Sequence, residues 1–199
     1  MVTGGQHLNA VRDVLTKTLA SAGLTADDIF TSQRVDLPGF YRPTKKWDLV
    51  VVRDGHLLAA IELKAQVGPS FGNNFNNRTE EAIGTAVCTW TAFRDGAFAG
   101  SPPPWLGYLF LLEDCPASRR PVRSAEPHFP VFPEFRDASY ARRMELFCLK
   151  LVRERQYSGS CFLLADSSRA SERPNYVEPA LELSAERFLG ELVRHVRPG

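Results

Sequence analysis

The chain has 199 residues, of which 44% are hydrophobic and 24% are charged, and its formal net charge is +1. This length suits one compact domain with a full hydrophobic core, and the composition excludes a disordered or fibrous protein. The near-neutral charge excludes a chain that is basic overall, so a nucleic-acid surface would have to arise from local clusters of lysine and arginine.

The N-terminal part of the chain predicts a helix followed by three strands. Apolar residues at helical spacing predict a helix over 7–22, and residues 33–37 are typical of a short strand. Two runs rich in β-formers, 47–52 and 56–65, flank the glycine-containing turn 53–55. This arrangement predicts a β-hairpin.

An asparagine-rich loop is predicted at 68–77, followed by a helix at 78–94. Asn77 with Glu80 three positions later resembles a helix N-cap with a reciprocal acid. Glu80 and Glu81 are then interpreted as first-turn acids that stabilise the helix dipole, in preference to metal ligands. We expect the helix to bury the apolar stripe Ile83, Val87, Trp90 and Phe93.

The remaining elements complete one α/β domain. The continuous apolar run 105–112 suits a strand buried on both faces, and 115–137 is expected to be an ordered surface excursion whose phenylalanines are covered. The last predicted elements are a helix at 140–155, a strand at 161–165 and a helix at 185–196 capped by Ser184. The prediction is a single domain over 1–199, with its core at about 6–112 and C-terminal additions at 139–199.

The cysteines and the first residues indicate a cytoplasmic protein. The four cysteines show neither a Cys-x-x-Cys pair nor zinc spacing with histidine, and this is typical of reduced thiols. The first twenty residues form an amphipathic pattern and not a secretory signal. No apolar stretch approaches membrane-spanning length, so we expect no membrane partner.

A polar row on the second hairpin strand is the strongest candidate for chemistry. Glu62 and Lys64 lie in a β-rich run, alternation places them on one strand face, and Gln66 continues the row. A structural alternative is a solvent-facing strand with an ordinary Glu62–Lys64 pair. The functional alternative needs a second carboxylate nearby, and Asp48 on the preceding strand is the candidate.

The turn between the two strands decides whether Asp48 joins Glu62. A two-residue turn would pair Asp48 with Ile61 and turn it away from Glu62, whereas a three-residue loop at 53–55 would pair Asp48 with Ala60. We expect the three-residue loop, a type I turn with a glycine bulge, or an equivalent bulge. Asp48 is then a diagonal neighbour of Glu62.

Two carboxylates on rigid strands are suitable ligands for Mg²⁺, with other positions left for water and phosphate. Such an ion lowers the pKa of a bound water and polarises a phosphate, while Lys64 can orient that water or neutralise developing charge. The predicted reaction class is phosphodiester hydrolysis with Asp48 and Glu62 as metal ligands and Asp48, Glu62 and Lys64 as catalytic residues.

Asp48 followed by Glu62-Leu63-Lys64 resembles the motif of the PD-(D/E)xK nuclease superfamily, whose core has the same α-β-β-β-α-β order. The longer segments YRPTKKWD at 41–48, ELKAQVGPSFGNNFNNRTEEA at 62–82 and PHFPVFPEF at 127–135 closely resemble the XhoI-type restriction endonucleases. The resemblance implies a mixed central sheet flanked by helices. It also implies a Mg²⁺-dependent homodimer that cuts double-stranded DNA at a palindromic CTCGAG-like site and is accompanied by a DNA methyltransferase.

Further residues are predicted to contact DNA. Bidentate pairing with bases suits asparagine and arginine, and clustered cations suit phosphates. The predicted contacts are Arg42, Lys45, Lys46, Gln66, Asn73, Asn74, Asn76, Asn77 and Arg78. The structural alternative for the asparagines is an asparagine-rich turn whose amides cap their own backbone.

Two other functions stay open at this point. One is a nuclease of the same core that acts in repair or recombination. The other is a DNA-binding module with impaired catalysis, because relatives are expected to carry additional residues ahead of 2–5 and an aspartate-containing helix near Cys88.

Overall fold

A computed structural model describes residues 4–166 and 176–197. The helices are α1 Gly4–Ser21, α2 Phe71–Arg94, α3 Pro116–Arg119, α4 Tyr140–Arg153 and α5 Ala185–Val196. The strands are β1 Ile29–Phe30, β2 Asp36–Pro38, β3 Thr44–Lys46, β4 Leu49–Arg53, β5 His56–Gln66, β6 Trp105–Glu113, β7 Gly159–Ala165 and β8 Tyr176–Val177. Of the domain predicted over 1–199, residues 1–3, 167–175 and 198–199 lie outside the described residues.

A six-stranded sheet in the order β1-β4-β5-β6-β7-β8 forms the centre. Strands β5, β6 and β7 run parallel, and every other pair in this sheet is antiparallel. Side chains of α2 and α4 pack on one face, and those of α1 and α5 pack on the other. The predicted α/β fold with a mixed central sheet flanked by helices is therefore confirmed at this level.

Strand β6 is buried on both faces, as its continuous apolar sequence predicts. Leu106, Tyr108 and Phe110 enter the core beneath α2 and α4. The alternating residues Trp105, Leu109 and Leu111 enter the core beneath α1 and α5. Two hydrophobic cores are thus separated by one strand layer. Among the described residues, no helix combines the length and apolarity needed to cross a membrane.

The strand predicted at 33–37 lies in a different place. β2 pairs with β3 in a separate two-stranded sheet, while the short strand β1, which was not predicted, takes the sheet edge beside β4. A hydrogen bond from Gly39 N to Pro43 O, 3.2 Å, closes the loop between β2 and β3. Because this closure is local, the two short strands pair with each other and project from the main sheet.

Helix α2 begins seven residues before the predicted start. Phe71 is its first residue and is 3% exposed, so tertiary packing fixes the helix where asparagine propensity predicts a loop. The interpretation of Asn77 as N-cap is wrong, because Ser70 takes that position. Glu80 and Glu81 consequently lie in the third turn, and the first-turn interpretation is also wrong.

The buried face of α2 is not the predicted stripe. Ile83 and Val87 are 41% and 38% exposed. After Phe71 the buried residues of α2 are smaller: Ala82, Thr85, Ala86, Cys88, Thr89 and Ala92. Helix α2 packs mainly against α4, and small side chains let two helices approach closely, so the bulkier residues are left on the outer side.

The C-terminal predictions are confirmed in outline. α5 begins at Ala185, and the Ser184 side chain accepts a hydrogen bond from Arg187 N. In the segment 115–137, however, Phe129 and Phe132 are 83% and 73% exposed, so the expectation that its phenylalanines are covered is wrong for these two, whereas Phe135 is half-buried. The Phe132 ring instead lies 5.8 Å from the Lys150 ammonium, a cation–π contact at the surface.

Replacing Gly107 by alanine should destabilise the protein by about 1–3 kcal/mol, because the core there is already full. An added Cβ would lie 2.4 Å from the Trp105 ring and 2.9 Å from the Phe188 ring. Gly190 in α5 is the matched control, since a Cβ there meets nothing within 4 Å and alanine favours a helix. Urea denaturation measures both, and equal stability of the two variants would contradict this packing.

Candidate functional site

The hairpin turn has two residues, not three. Arg53 pairs with His56, which leaves Asp54 and Gly55 as the loop. Both have positive φ, 51° and 80°, as a type I′ turn requires. The predicted three-residue loop at 53–55 is therefore wrong.

A bulge in β5 supplies the extra residue that the turn lacks. Val51 pairs with Ala59 but Val52 pairs with Leu57, so Leu58 is the additional residue. Leu49 then pairs with Ile61. Asp48 lies one residue beyond this pair and its N donates to Ile61 O, so the predicted pairing of Asp48 with Ala60 is wrong.

Asp48 is tied to the backbone of β5 just beyond the last strand pair. Its Oδ2 accepts a hydrogen bond of 2.8 Å from Leu63 N, and its own N donates to Ile61 O at 3.2 Å. Its Oδ1 lies 3.9 Å from a guanidinium nitrogen of Arg12 in α1, and the carboxylate is 29% exposed. The carboxylate therefore extends the pairing of β4 with β5 and remains accessible to solvent.

Glu62 is a buried carboxylate held between two ammonium groups. The residue is 4% exposed. Lys45 Nζ lies 2.7 Å from Oε2, and Lys64 Nζ pairs with Oε1. Burying a carboxylate is costly unless opposite charge and hydrogen bonds compensate, and here both oxygens are compensated. The alternative of an ordinary solvent-facing strand is excluded for Glu62.

A cleft of about 660 Å³ opens above Glu62 and Lys64. The loop between β2 and β3 and strand β3 contribute to one wall, and α2 forms the other. Its lining contains four cationic and three carboxylate side chains: Arg42, Lys45, Lys64, Arg78, Glu62, Glu80 and Glu81. Asp48 is not among the lining residues. The cleft can therefore hold a polyanion through its cations and a metal ion through its oxygens.

Only some of the predicted DNA-contact residues line the cleft. Arg42, Lys45 and Arg78 line the cleft. Lys46 is exposed beside it. Gln66 is 5% exposed and its Nε2 donates to Phe71 O at 3.2 Å, so it supports the start of α2. The predicted asparagines lie in the first turns of α2, where Asn73, Asn76 and Asn77 are exposed and Asn74 is half-buried.

The model of the XhoI restriction endonuclease family matches residues 1–177. The chain belongs to this family. XhoI-family proteins are type II restriction endonucleases, which cleave double-stranded DNA at specific sites.

Three curated relatives illustrate the similarity. BstVI, a type II restriction enzyme of Geobacillus stearothermophilus, is 52% identical over 98% of this chain and 89% of its own length. XhoI of Xanthomonas vasicola is 48% identical over 76% of this chain and 62% of its own length. AbrI of Azospirillum brasilense is 62% identical over 47% of this chain and 42% of its own length. No solved structure gives a significant match.

Sequence reasoning predicted Arg78 as a DNA contact but missed the other cleft-lining residues on the same face of α2 in this XhoI-family member. Arg78, Glu81, Thr85 and Cys88 line the cleft at spacings of three and four residues, which place them on one helix face. Arg42 donates a 3.2 Å hydrogen bond to Thr85 Oγ1 and so joins the two walls. The spacing is visible in the sequence, but the apolar stripe Ile83, Val87, Trp90 and Phe93 beside it gives a stronger signal.

Cys88 anchors the loop between β2 and β3 to α2. Its Sγ accepts a 3.2 Å hydrogen bond from Phe40 N, and the thiol is 3% exposed. Burial opposes ionisation, but the backbone N–H groups of Tyr41 and Phe40 and the Arg42 guanidinium together lower the pKa of the Cys88 thiol. In this XhoI-family member Cys88 therefore has a packing and hydrogen-bonding role at the cleft wall.

Tyr108 lies beneath the cleft floor beside Glu62. The two residues are register partners of β6 and β5, and Tyr108 is 1% exposed. Its hydroxyl has no hydrogen-bond partner within the described part of the chain. Burial raises the pKa of Tyr108 well above its usual value, and neighbouring groups that include Glu62 reinforce this shift. The buried hydroxyl is therefore neutral.

Proposed function

We propose that this chain is a Mg²⁺-dependent type II restriction endonuclease of the PD-(D/E)xK type, with Asp48, Glu62 and Lys64 at its catalytic centre. The observation that carries the proposal is the buried Glu62 carboxylate, which lies with Lys64 at the floor of a cation-lined cleft. Glu62 is only 4% exposed, and an apolar residue of similar size would pack at this position at a lower energetic cost. Stability alone therefore does not explain a glutamate here.

The donor set suits a hard divalent cation. Carboxylate oxygens are the ligands that Mg²⁺ prefers, and the Asp48 carboxylate contacts β5 at Leu63 N, the residue next to Glu62. Within residues 4–166 and 176–197 no group of three histidine, cysteine, aspartate or glutamate side chains is placed to hold a metal ion. A two-carboxylate site of this kind leaves the remaining positions to water and phosphate, and Mg²⁺ usually keeps several waters.

The metal, when bound, supplies Lewis-acid activation of the phosphate and of a water molecule. The protein groups supply orientation and charge. Lys64 reaches the cleft from the same strand as Glu62, and its ammonium can orient the attacking water or neutralise charge on the phosphate. Arg42 and Arg78 on opposite walls can hold the flanking phosphates of the DNA backbone.

A homodimer acting on a palindromic CTCGAG-like site completes the proposal. The chain contributes one Glu62–Lys64 centre, and cutting both strands of a duplex at one encounter takes two such centres. A twofold-symmetric dimer presents two equivalent clefts, and its symmetry matches that of a palindrome. The resemblance to XhoI-type enzymes supports this site, and a companion DNA methyltransferase would protect the host DNA.

Digestion of phage DNA tests the proposed function. The purified protein should produce discrete fragments in Mg²⁺ and none in EDTA. Sequencing of the fragment ends should place every cut at a CTCGAG-like palindrome, and a plasmid without that palindrome is the matched control. A smear, or preferential cutting of a four-way junction over linear duplex, would reject site-specific cleavage by this chain.

A further inference from the structure

We propose that Lys45 is an internal counterion of Glu62 that a divalent cation must displace, so that Lys45 weakens metal binding in the absence of DNA. The inference rests on the proposed metal centre. It assigns Lys45 a role different from that of Lys64, although both ammonium groups contact the same carboxylate. Lys45 is therefore a positioning residue, because it acts through Glu62 to set the affinity of the site for metal.

The Lys45 ammonium is fixed at one Glu62 oxygen. It donates to Glu62 Oε2 at 2.7 Å and to Lys46 O at 2.6 Å. It also lies 5.5 Å from the centre of the Trp47 ring, and its side chain is only 16% exposed. A lysine that served only to meet phosphate would extend towards solvent, whereas this one occupies the oxygen that a metal would use.

Metal and ammonium exclude each other at this oxygen. A Mg²⁺ ion binds carboxylate oxygen at about 2.0–2.1 Å. An ion bound to Glu62 Oε2 would therefore come close to the Lys45 Nζ that lies 2.7 Å from the same atom. Two cations bound to one carboxylate oxygen repel each other in a partly desolvated site. One of them has to leave the oxygen.

The geometry points to Lys45, and not Lys64, as the group that leaves. Lys64 is two residues from Glu62 on β5, so the strand itself keeps it at Oε1. Lys45 reaches Oε2 from β3, which belongs to the separate two-stranded sheet. Once released from Glu62, the Lys45 ammonium would lie in the cleft beside Arg42, where it can bind a DNA phosphate.

Calcium binding to the protein without DNA tests this inference. Isothermal titration with Ca²⁺ should show that Lys45→Met binds the ion at least about tenfold more tightly than the unaltered protein. Lys46→Met is the matched control, because it removes the same charge from the next residue, whose side chain is exposed. Its affinity should stay within about threefold of the unaltered protein, since exposed charges are screened.

A charge-retaining variant and a second readout separate charge from folding. Lys45→Arg should bind Ca²⁺ as weakly as the unaltered protein. Thermal melts should show a larger Ca²⁺-induced rise in Tm for Lys45→Met than for Lys46→Met, and Lys45→Gln serves if the methionine variant does not fold. Unchanged or weaker Ca²⁺ binding by the charge-removing variants Lys45→Met and Lys45→Gln would overturn the inference alone. Absence of binding in every form would overturn the metal centre and the inference with it.

Discussion

Replacing Glu62 by glutamine should reduce DNA cleavage at least about a thousandfold while duplex binding persists. Glutamine has nearly the same shape, but its single carbonyl oxygen can accept a hydrogen bond from only one of Lys45 and Lys64, and it lacks the charge that a metal ligand needs. The loss of one negative charge among the cleft cations should leave phosphate binding unchanged or stronger. Single-turnover cleavage in Mg²⁺ and a gel-shift titration in Ca²⁺ measure the two properties separately.

Glu182→Gln is the control for this prediction. Glu182 forms an ion pair with Arg153 at 2.9 Å, and both side chains are more than half exposed. Removing the same charge there should change cleavage by less than about twofold, because exposed ion pairs contribute little. A Glu62→Gln variant that is folded, as judged by circular dichroism, and that cuts at the normal rate would exclude Glu62 from catalysis.

The strongest sequence patterns predicted most of the fold. The alternating runs around Asp54-Gly55 and the continuous apolar run of β6 each depend on local burial, and both are present as expected. The capped α5 helix also depends on adjacent residues, Ser184 and Arg187. These features need no knowledge of distant contacts, and a single sequence is sufficient to find them.

The start of α2 and its buried face required tertiary information. Asparagine-rich sequence favours a loop by propensity alone, but burial of Phe71 and the Gln66 contact extend the helix over it. In the sequence, Ile83 and Val87 look like part of a core stripe, but the folded chain leaves both side chains exposed. Packing of α2 against α4 buries the smaller side chains, which carry a weaker hydrophobic signal in the sequence.

The candidate site was likewise predictable only where it depends on local sequence. Glu62 and Lys64 on one strand face were predictable from alternation, and the cleft confirms that they share a face. The position of Asp48 was not predictable, because it depends on a bulge at Leu58 that no turn residue announces. Lys45 was assigned to phosphate from its charge, whereas its contact with Glu62 arises from the fold of a separate hairpin.

Two substitutions at Asp48 should separate its possible metal role from its structural role. Asp48→Asn keeps an oxygen that can accept from Leu63 N, whereas Asp48→Ala removes that 2.8 Å hydrogen bond. We expect both variants to lose cleavage by about a hundredfold to a thousandfold, because neither offers a carboxylate to the metal. Only Asp48→Ala should also lose about 1–3 kcal/mol of stability, since the strand N–H loses its acceptor.

Cleavage rates and urea denaturation of both variants decide between the two roles. Asp27→Asn is a suitable control, because Asp27 is exposed and precedes β1. If Asp48→Asn cuts DNA at the normal rate and only Asp48→Ala is impaired, then Asp48 acts as a backbone clamp that holds β5 and Glu62 in register. The metal would in that case depend on Glu62 and on the other cleft carboxylates, Glu80 and Glu81, and α2 would become a catalytic element of the enzyme.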